Sequence, residues 1–171
     1  IGLDNFRDMV EAKFGPLHAD PGSVFGQIPK SLLGIHHQKQ NGLYYFGLHI
    51  PVGRLSSIDL QDISAISENY GDKEIRLTED QNMIISGISS KKLEKFKADP
   101  IVYRFQIEPN SISSGTISCT GNTYCSFALT NTKDNAKKIA NELDAELEFS
   151  NEIKIHWTGC PNSCGQAYMG A

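Results

Sequence analysis

All four cysteines of this 171-residue chain lie after Ser118, in two pairs, Cys119-x5-Cys125 and Cys160-x3-Cys164. Each pair occupies a glycine-bearing loop just past a strand-like run. The first run is the β-branched stretch 115–119. The second is Glu152-Ile153-Lys154-Ile155-His156-Trp157, which alternates polar and apolar and leads into Thr158-Gly159-Cys160-Pro161-Asn162-Ser163-Cys164-Gly165. Between them, 132–143 reads as a helix with Ala136, Ile139, Ala140 and Leu143 on one face. Secreted disulfide scaffolds spread many cysteines through a short chain. Four thiols confined to one end of a mildly acidic chain, pI about 5.7 and net charge -4, point instead to metal or cluster ligation in a reducing compartment.

Four thiolates can hold zinc or an iron–sulfur cluster. Zinc knuckles bring a pair in at two to four residues' separation, because a tight turn aims both sulfurs at one small ion. A five-residue gap spans more room, and a cubane is wider than an ion. The spacing therefore favours a [4Fe-4S] cluster while leaving zinc, or buried and disulfide-bonded cysteines, open. Small neighbours (Ser118, Gly121, Ser163, Gly165) leave backbone N–H groups free to approach cluster sulfur.

The rest of the chain is ordinary globular material, with 39% hydrophobic and 21% charged residues, which excludes disordered and fibrous classes. Mean hydropathy is -0.32, and no apolar run approaches the roughly 18 residues a membrane span requires. The negative net charge argues against nonspecific nucleic-acid binding. Residues 4–14 read as an amphipathic helix capped by Asp4, with Leu3, Phe6, Met9, Val10 and Phe14 in phase and Gly15-Pro16 ending it; 15–33 is a connector rich in proline and glycine. A strand over 43–50 follows. A helix then starts at Ser56 or Ser57, with Leu55 and Asp59 as its entry signals and Ile63, Ile66 and Tyr70 facing inward up to Gly71. Strands at 74–78 and 82–86 flank a turn at Glu79-Asp80, and a short helix over 91–98 is capped by Ser89-Ser90. Strand, helix, strand, strand, helix is the order of a ferredoxin-like split β-α-β unit. The fold class is thus α+β: a ferredoxin-like half followed by the start of an α/β domain that carries the cysteines. The expected divisions are 1–33, 34–105 and 109–171.

Ser118-Cys119-Thr120-Gly121-Asn122-Thr123-Tyr124-Cys125 and Trp157-Thr158-Gly159-Cys160-Pro161-Asn162-Ser163-Cys164-Gly165-Gln166 resemble the cluster motifs of the siroheme-containing nitrite and sulfite reductases. Leu33-Gly34-Ile35-His36, the run from Gly47 to Leu55, and Glu74-Ile75-Arg76-Leu77-Thr78 with Gln81-Asn82 are similar to that family's second ferredoxin-like half; a proline is common in the family where His37 stands. The likeness runs from about residue 33 to the end and more weakly over the first helix. Thr-Gly-Asn in the first motif and Ser-Cys-Gly-Gln in the second resemble the ferredoxin-dependent, nitrite-reducing branch, with the assimilatory sulfite reductases as the neighbouring alternative. A zinc-stabilised, non-catalytic binding module is the alternative of another class, and a cluster carrier without siroheme is a third.

The resemblance implies a [4Fe-4S] cluster on Cys119, Cys125, Cys160 and Cys164, with the Cys164 thiolate bridging to siroheme iron. Asn162, Arg76, Gln81 and Asn82 become candidates for contacts to siroheme, whose carboxylates need cationic and amide donors. Plainer readings exist for each: Arg76 as a strand-edge charge, Asn162 as a shaper of its loop, Gln81 and Asn82 as turn residues. The implied chemistry is six-electron reduction of nitrite to ammonium, with reduced ferredoxin as donor. The implied setting is the cytoplasm, or a plastid stroma. The family's anion-binding residues lie in an N-terminal half not found in these 171 residues. Ile1 in place of Met, and an end just after the second motif, fit a partial chain that would not turn over nitrite alone. Strand histidines such as His49 and His156 are expected to be packed and hydrogen-bonded rather than ligands. Lys91, Lys92, Lys95 and Lys97 form a solvated helix face, or else a docking surface for acidic ferredoxin.

Overall fold

The structure, a computed structural model, describes residues 2–16, 31–105, 111–149 and 153–169. Most of the expected 15–33 connector, His18, Pro109 and Glu152 lie outside the described residues. The chain divides into two compact units, 1–30 and 31–171.

The first unit contains helix α1 (Leu3–Phe14). Its N-cap is Gly2, with no side-chain cap, so Asp4 is not the cap expected from sequence. Asp4 sits inside the first turn, where its charge complements the positive end of the helix dipole. Gly15, at φ 83°, ends the helix and donates its N–H to the Glu11 carbonyl. Phe6, Met9 and Phe14 are exposed.

The second unit opens with β1 (Gly34–His37), β2 (Leu43–Leu48), α2 (Ser57–Tyr70), β3 (Ile75–Leu77) and β4 (Met83–Ser89). The sheet order is β1-β2-β4-β3, with every neighbouring pair antiparallel. β2 and β3 therefore run parallel with β4 between them, which is the split β-α-β arrangement. β1 has no sequence signal of its own. It forms because Gly34–His37 pairs with β2 and because its histidines pack on that strand's tyrosines, His36 stacked on Tyr45 and His37 tilted against Tyr44, at centroid distances of 5.0 and 4.4 Å. The strand expected over 43–50 stops at Leu48, before the turn Pro51–Gly53, and the one expected over 82–86 runs Met83–Ser89.

Helix α2 starts as its sequence requires. The Ser56 hydroxyl accepts the Asp59 N–H and the Asp59 carboxylate accepts the Ser56 N–H, a reciprocal capping box worth about 1 kcal/mol. Its inner face lays Ile63, Ile66 and Tyr70 on a core that includes Phe46, Leu48, Ile50, Ile85, Ile88 and Phe96. Each such side chain contributes about 1.5–3 kcal/mol by burial. The last helix of the half domain is split. A turn at Ser90–Lys92 leads into α3 (Leu93–Lys97), and Ser89 makes no side-chain cap, contrary to expectation. α4 (Pro100–Arg104) follows, capped by Asp99, whose carboxylate accepts both the Ile101 N–H and the Tyr70 hydroxyl.

Beyond it stand α5 (Ser111–Ser114), β5 (Thr116–Ser118), α6 (Thr132–Glu146) and β6 (Ile155–Trp157). β5 and β6 pair in parallel, Thr116 with Ile155 and Ser118 with Trp157, and α6 is their crossover. Their core is built from Ile112, Ile117, Ala136 and Ala140. Ile139, expected inward, is 38% exposed, because two short strands cover only the narrow alanine stripe of α6. No helix among the described residues is long and apolar enough to cross a membrane.

Candidate functional site

Both cysteine loops leave the same, C-terminal end of the parallel pair β5–β6, where α/β folds place ligands. Cys119 is the first residue past β5, and its N–H donates to the Trp157 carbonyl at 3.0 Å, carrying the ladder one step further. The first loop folds back on itself: the Cys125 N–H donates to Gly121 O and the Asn122 N–H to Thr130 O. It also touches the second loop, since the Leu129 N–H donates to Gly159 O and the Gly159 N–H donates to the Cys119 sulfur at 3.3 Å.

None of the four thiols is in a disulfide. Cys119 is buried, Cys125 and Cys160 are half-buried, and Cys164 is exposed. Burial pushes the Cys119 thiol up. The Thr132 hydroxyl, the Gly159 and Gly121 N–H groups and the Lys133 ammonium together outweigh that, so it lies below its ordinary value. This is the surrounding that favours a thiolate. Lys133 is in turn pushed down by its own burial and by Arg54.

Thr132 and Lys133 were not singled out by sequence reasoning. A signal was present: Lys133 is a cation in the first turn of α6, on the unfavourable end of the helix dipole, which calls for a tertiary partner. Its ammonium donates to the carbonyls of Val52 and Ser118.

The sequence candidates separate in space. Arg76 lies on β3 and spends its guanidinium inside the half domain, on Ser86, Asp72 and Glu74. Asn82 is buried, and its carboxamide oxygen accepts the Ile50 N–H at 2.8 Å. Gln81 reaches across to Ser118, next to Cys119. Asn162 is an exposed residue of the second loop. His49 and His156 are hydrogen-bonded to backbone carbonyls, of Ser113 and Gly165, in line with the packed reading of strand histidines.

With these positions in view, the comparisons are specific. Residues 36–101 match the model of the nitrite/sulfite reductase ferredoxin-like half domain. The chain is 45% identical over 96% of its length to the ferredoxin–nitrite reductase of Synechococcus elongatus. The chain thus carries a ferredoxin-like half domain of the nitrite/sulfite reductase kind over residues 36–101. It is also 38% identical over 99% of its length to the chloroplastic ferredoxin–nitrite reductase of Betula pendula. The chain spans 32% and 30% of those two relatives. Among solved structures it resembles the Mycobacterium tuberculosis NirA protein, with TM-score 0.78 and 26% identity over 96% of this chain and 31% of that one. A dissimilatory sulfite reductase, at 19% identity and TM-score 0.54, shares the fold.

The likeness to nitrite and sulfite reductases raises an iron–sulfur cluster and siroheme as the groups to test against these residues. Among the described residues no three His, Cys, Asp or Glu side chains are gathered closely enough to hold a metal ion. Two features nevertheless fit a cluster. The buried Thr158 hydroxyl, in the second loop, has no hydrogen-bond partner, and a sulfur acceptor would supply one. A Cβ on Gly165 would stand 2.1 Å from Trp157 O and 2.8 Å from that hydroxyl, so the loop can close beside Cys164 only around glycine.

Proposed function

We propose that this chain is part of a ferredoxin-dependent assimilatory nitrite reductase, which reduces nitrite to ammonium with six electrons. The observation that carries the reading is the meeting of two cysteine loops at one end of β5–β6, on a chain 45% identical to a ferredoxin–nitrite reductase. In this reading 1–33 is helix and connector, 34–105 the ferredoxin-like half and 109–171 the cluster and siroheme domain. Cys119, Cys125, Cys160 and Cys164 would hold a [4Fe-4S] cluster, and Cys164, the exposed thiol, would also face siroheme. When bound, these groups would supply one-electron storage and transfer. The chain's own part is to position thiolates. Thr132, Lys133 and the Gly159 N–H favour charge on Cys119, and the Thr158 hydroxyl offers a further donor. Such donors tune a cluster's potential. The donor would be reduced ferredoxin, the setting a reducing one such as cytoplasm or plastid stroma, and the anion-holding residues would come from the remainder of a longer polypeptide.

The test is spectroscopic and chemical. The full polypeptide that carries this chain should show cluster and haem absorption and consume nitrite with reduced ferredoxin, faster than sulfite. Cys164→Ser should abolish turnover. A colourless protein with one zinc per chain would overturn the reading in favour of a binding module, and preference for sulfite would move it to the neighbouring branch.

A further inference from the structure

Gln81 bridges the half domain and β5, the strand that leads into the first cysteine loop. Its carboxamide nitrogen donates to Ser118 O at 2.8 Å, and its carboxamide oxygen accepts the Ser118 N–H at 3.1 Å. In a parallel ladder the N–H and C=O of one residue point to the same side. The Cys119 N–H and Gly115 O are bonded towards β6, so Ser118 faces the opposite edge of β5. The Gln81 side chain occupies that edge as a one-residue surrogate strand. Ser118 is fully buried, so without Gln81 its N–H would lose its partner in a place water does not reach. Its carbonyl would keep only the Lys133 ammonium, at 3.2 Å.

The turn that presents Gln81 is itself held firmly. The Gln81 N–H donates to Thr78 O, the Thr78 N–H to Asn82 O, and Asn82 ties the turn to the end of β2 through Ile50. Gln81 has φ 62°, a left-handed conformation that favours glycine or asparagine.

We infer that Gln81 is a positioning residue: by pairing with both backbone groups of Ser118 it fixes the strand end from which Cys119 projects, and so couples the ferredoxin-like half to the cluster ligand. It acts through backbone, a role different in kind from the siroheme contact that the resemblance implies for it. The inference rests on the cluster-binding reading above.

The test uses the full polypeptide with its cluster assembled. Gln81→Met keeps the side chain's bulk and removes both hydrogen bonds. Loss of an outer-shell partner typically costs 10–100-fold in metal affinity or activity. Gln81→Met should therefore release iron to a chelator at least about tenfold faster than the wild type and shift the electron paramagnetic resonance signal of the reduced cluster, with secondary structure unchanged by circular dichroism. Gln81→Glu keeps the acceptor for Ser118 N–H and should fall between the two; it stands in if the methionine variant does not fold. Tyr70→Phe, which loses a hydrogen bond inside the half domain, separates this from general loosening. A wild-type release rate and signal in the Gln81 variants would overturn the inference, as would equal acceleration in Tyr70→Phe. A wild-type polypeptide without iron would instead overturn the functional reading, and this inference with it.

Discussion

The two halves of the second unit are held together by different physics. Around α2 and the four-stranded sheet, eleven buried side chains interlock, with Phe96 edge-on to both Phe46 and Tyr70 at 5.2 and 5.5 Å. Around β5 and β6 the interior is smaller and more polar: Ile112, Ile117, Ala136 and Ala140 share it with Ser114, Thr116, Ser118 and Thr132. Hydrogen bonds do there what apolar volume does in the sheet. The Asp144 carboxylate accepts the Ile112 and Ser113 N–H groups at the start of α5, and His49, Gln81 and Lys133 tie the two regions together. Meanwhile Tyr124, Phe127 and Leu129 of the first cysteine loop stand 71–88% exposed. The half domain stabilises itself, whereas the cysteine region is organised by contacts borrowed from its neighbour. That suits a ligand-bearing surface, whose groups must stay free for chemistry instead of being spent on packing.

The comparison breaks most severely if the sheet core is opened. Phe96→Ala should cost about 3–5 kcal/mol, because a large cavity replaces both edge-on ring contacts. Urea denaturation of the full polypeptide should show a lower midpoint, and a loss below about 1 kcal/mol would mean that the core is looser than its geometry states. A smaller effect, about 1–3 kcal/mol, is expected for Gly121→Ala. Gly121 has φ 72°, and a Cβ there would stand 2.7 Å from Thr132 Oγ1 and 2.8 Å from its backbone nitrogen. The substitution should push Thr132 off Cys119, so the Cys119 thiol should titrate higher and react more slowly with an alkylating agent near neutral pH. An unchanged alkylation rate would show that Thr132 does not hold that sulfur.

The smallest effect sharpens the half domain's electrostatics. Burial raises Asp72, but the Ser86 hydroxyl, the Glu74 N–H and the Arg76 guanidinium outweigh it and hold its carboxyl below the usual range. A carboxylate depressed in the folded state adds stability above its unfolded pKa, near 4, and that stability is lost as pH falls through the lower folded value. Asp72→Asn should therefore lower stability at pH 7 by less than about 1 kcal/mol, given its partial exposure, and flatten the acid limb of the stability curve below about pH 4. A steeper acid limb in the variant would reverse the sign of this account.

Much of the fold was readable because its signals are local. Ser56 with Asp59 three residues on is a capping box wherever it occurs, and the 3.6-residue spacing of Ile63, Ile66 and Tyr70 can only face one way. The parallel strands could be placed because alternation and the glycine loops after them mark their ends. β1 was not readable, since its pairing and its histidine–tyrosine contacts are with another strand. Nor was the failure of Asp4, Ser89 and Ser90 to cap their helices: each has the right chemistry, and only backbone geometry decides whether the oxygen meets an N–H. Within the candidate site, the cysteines announced themselves by spacing, while Lys133, a cation at a helix start, signalled that it needed a tertiary partner without saying which.

Local chemistry, read along the chain, was enough for the split β-α-β order, the crossover helix and the two sulfur-bearing loops, because propensity, periodicity and spacing act between near neighbours. Only folding in three dimensions decided that those loops meet, and that Gln81 and Asn82, adjacent in the chain, serve different ends: one pairs with Ser118 and the other ties the turn to Ile50. Those assignments span 37 and 32 residues, and a side chain's partner at that range is set by how the layers pack, which no local pattern records.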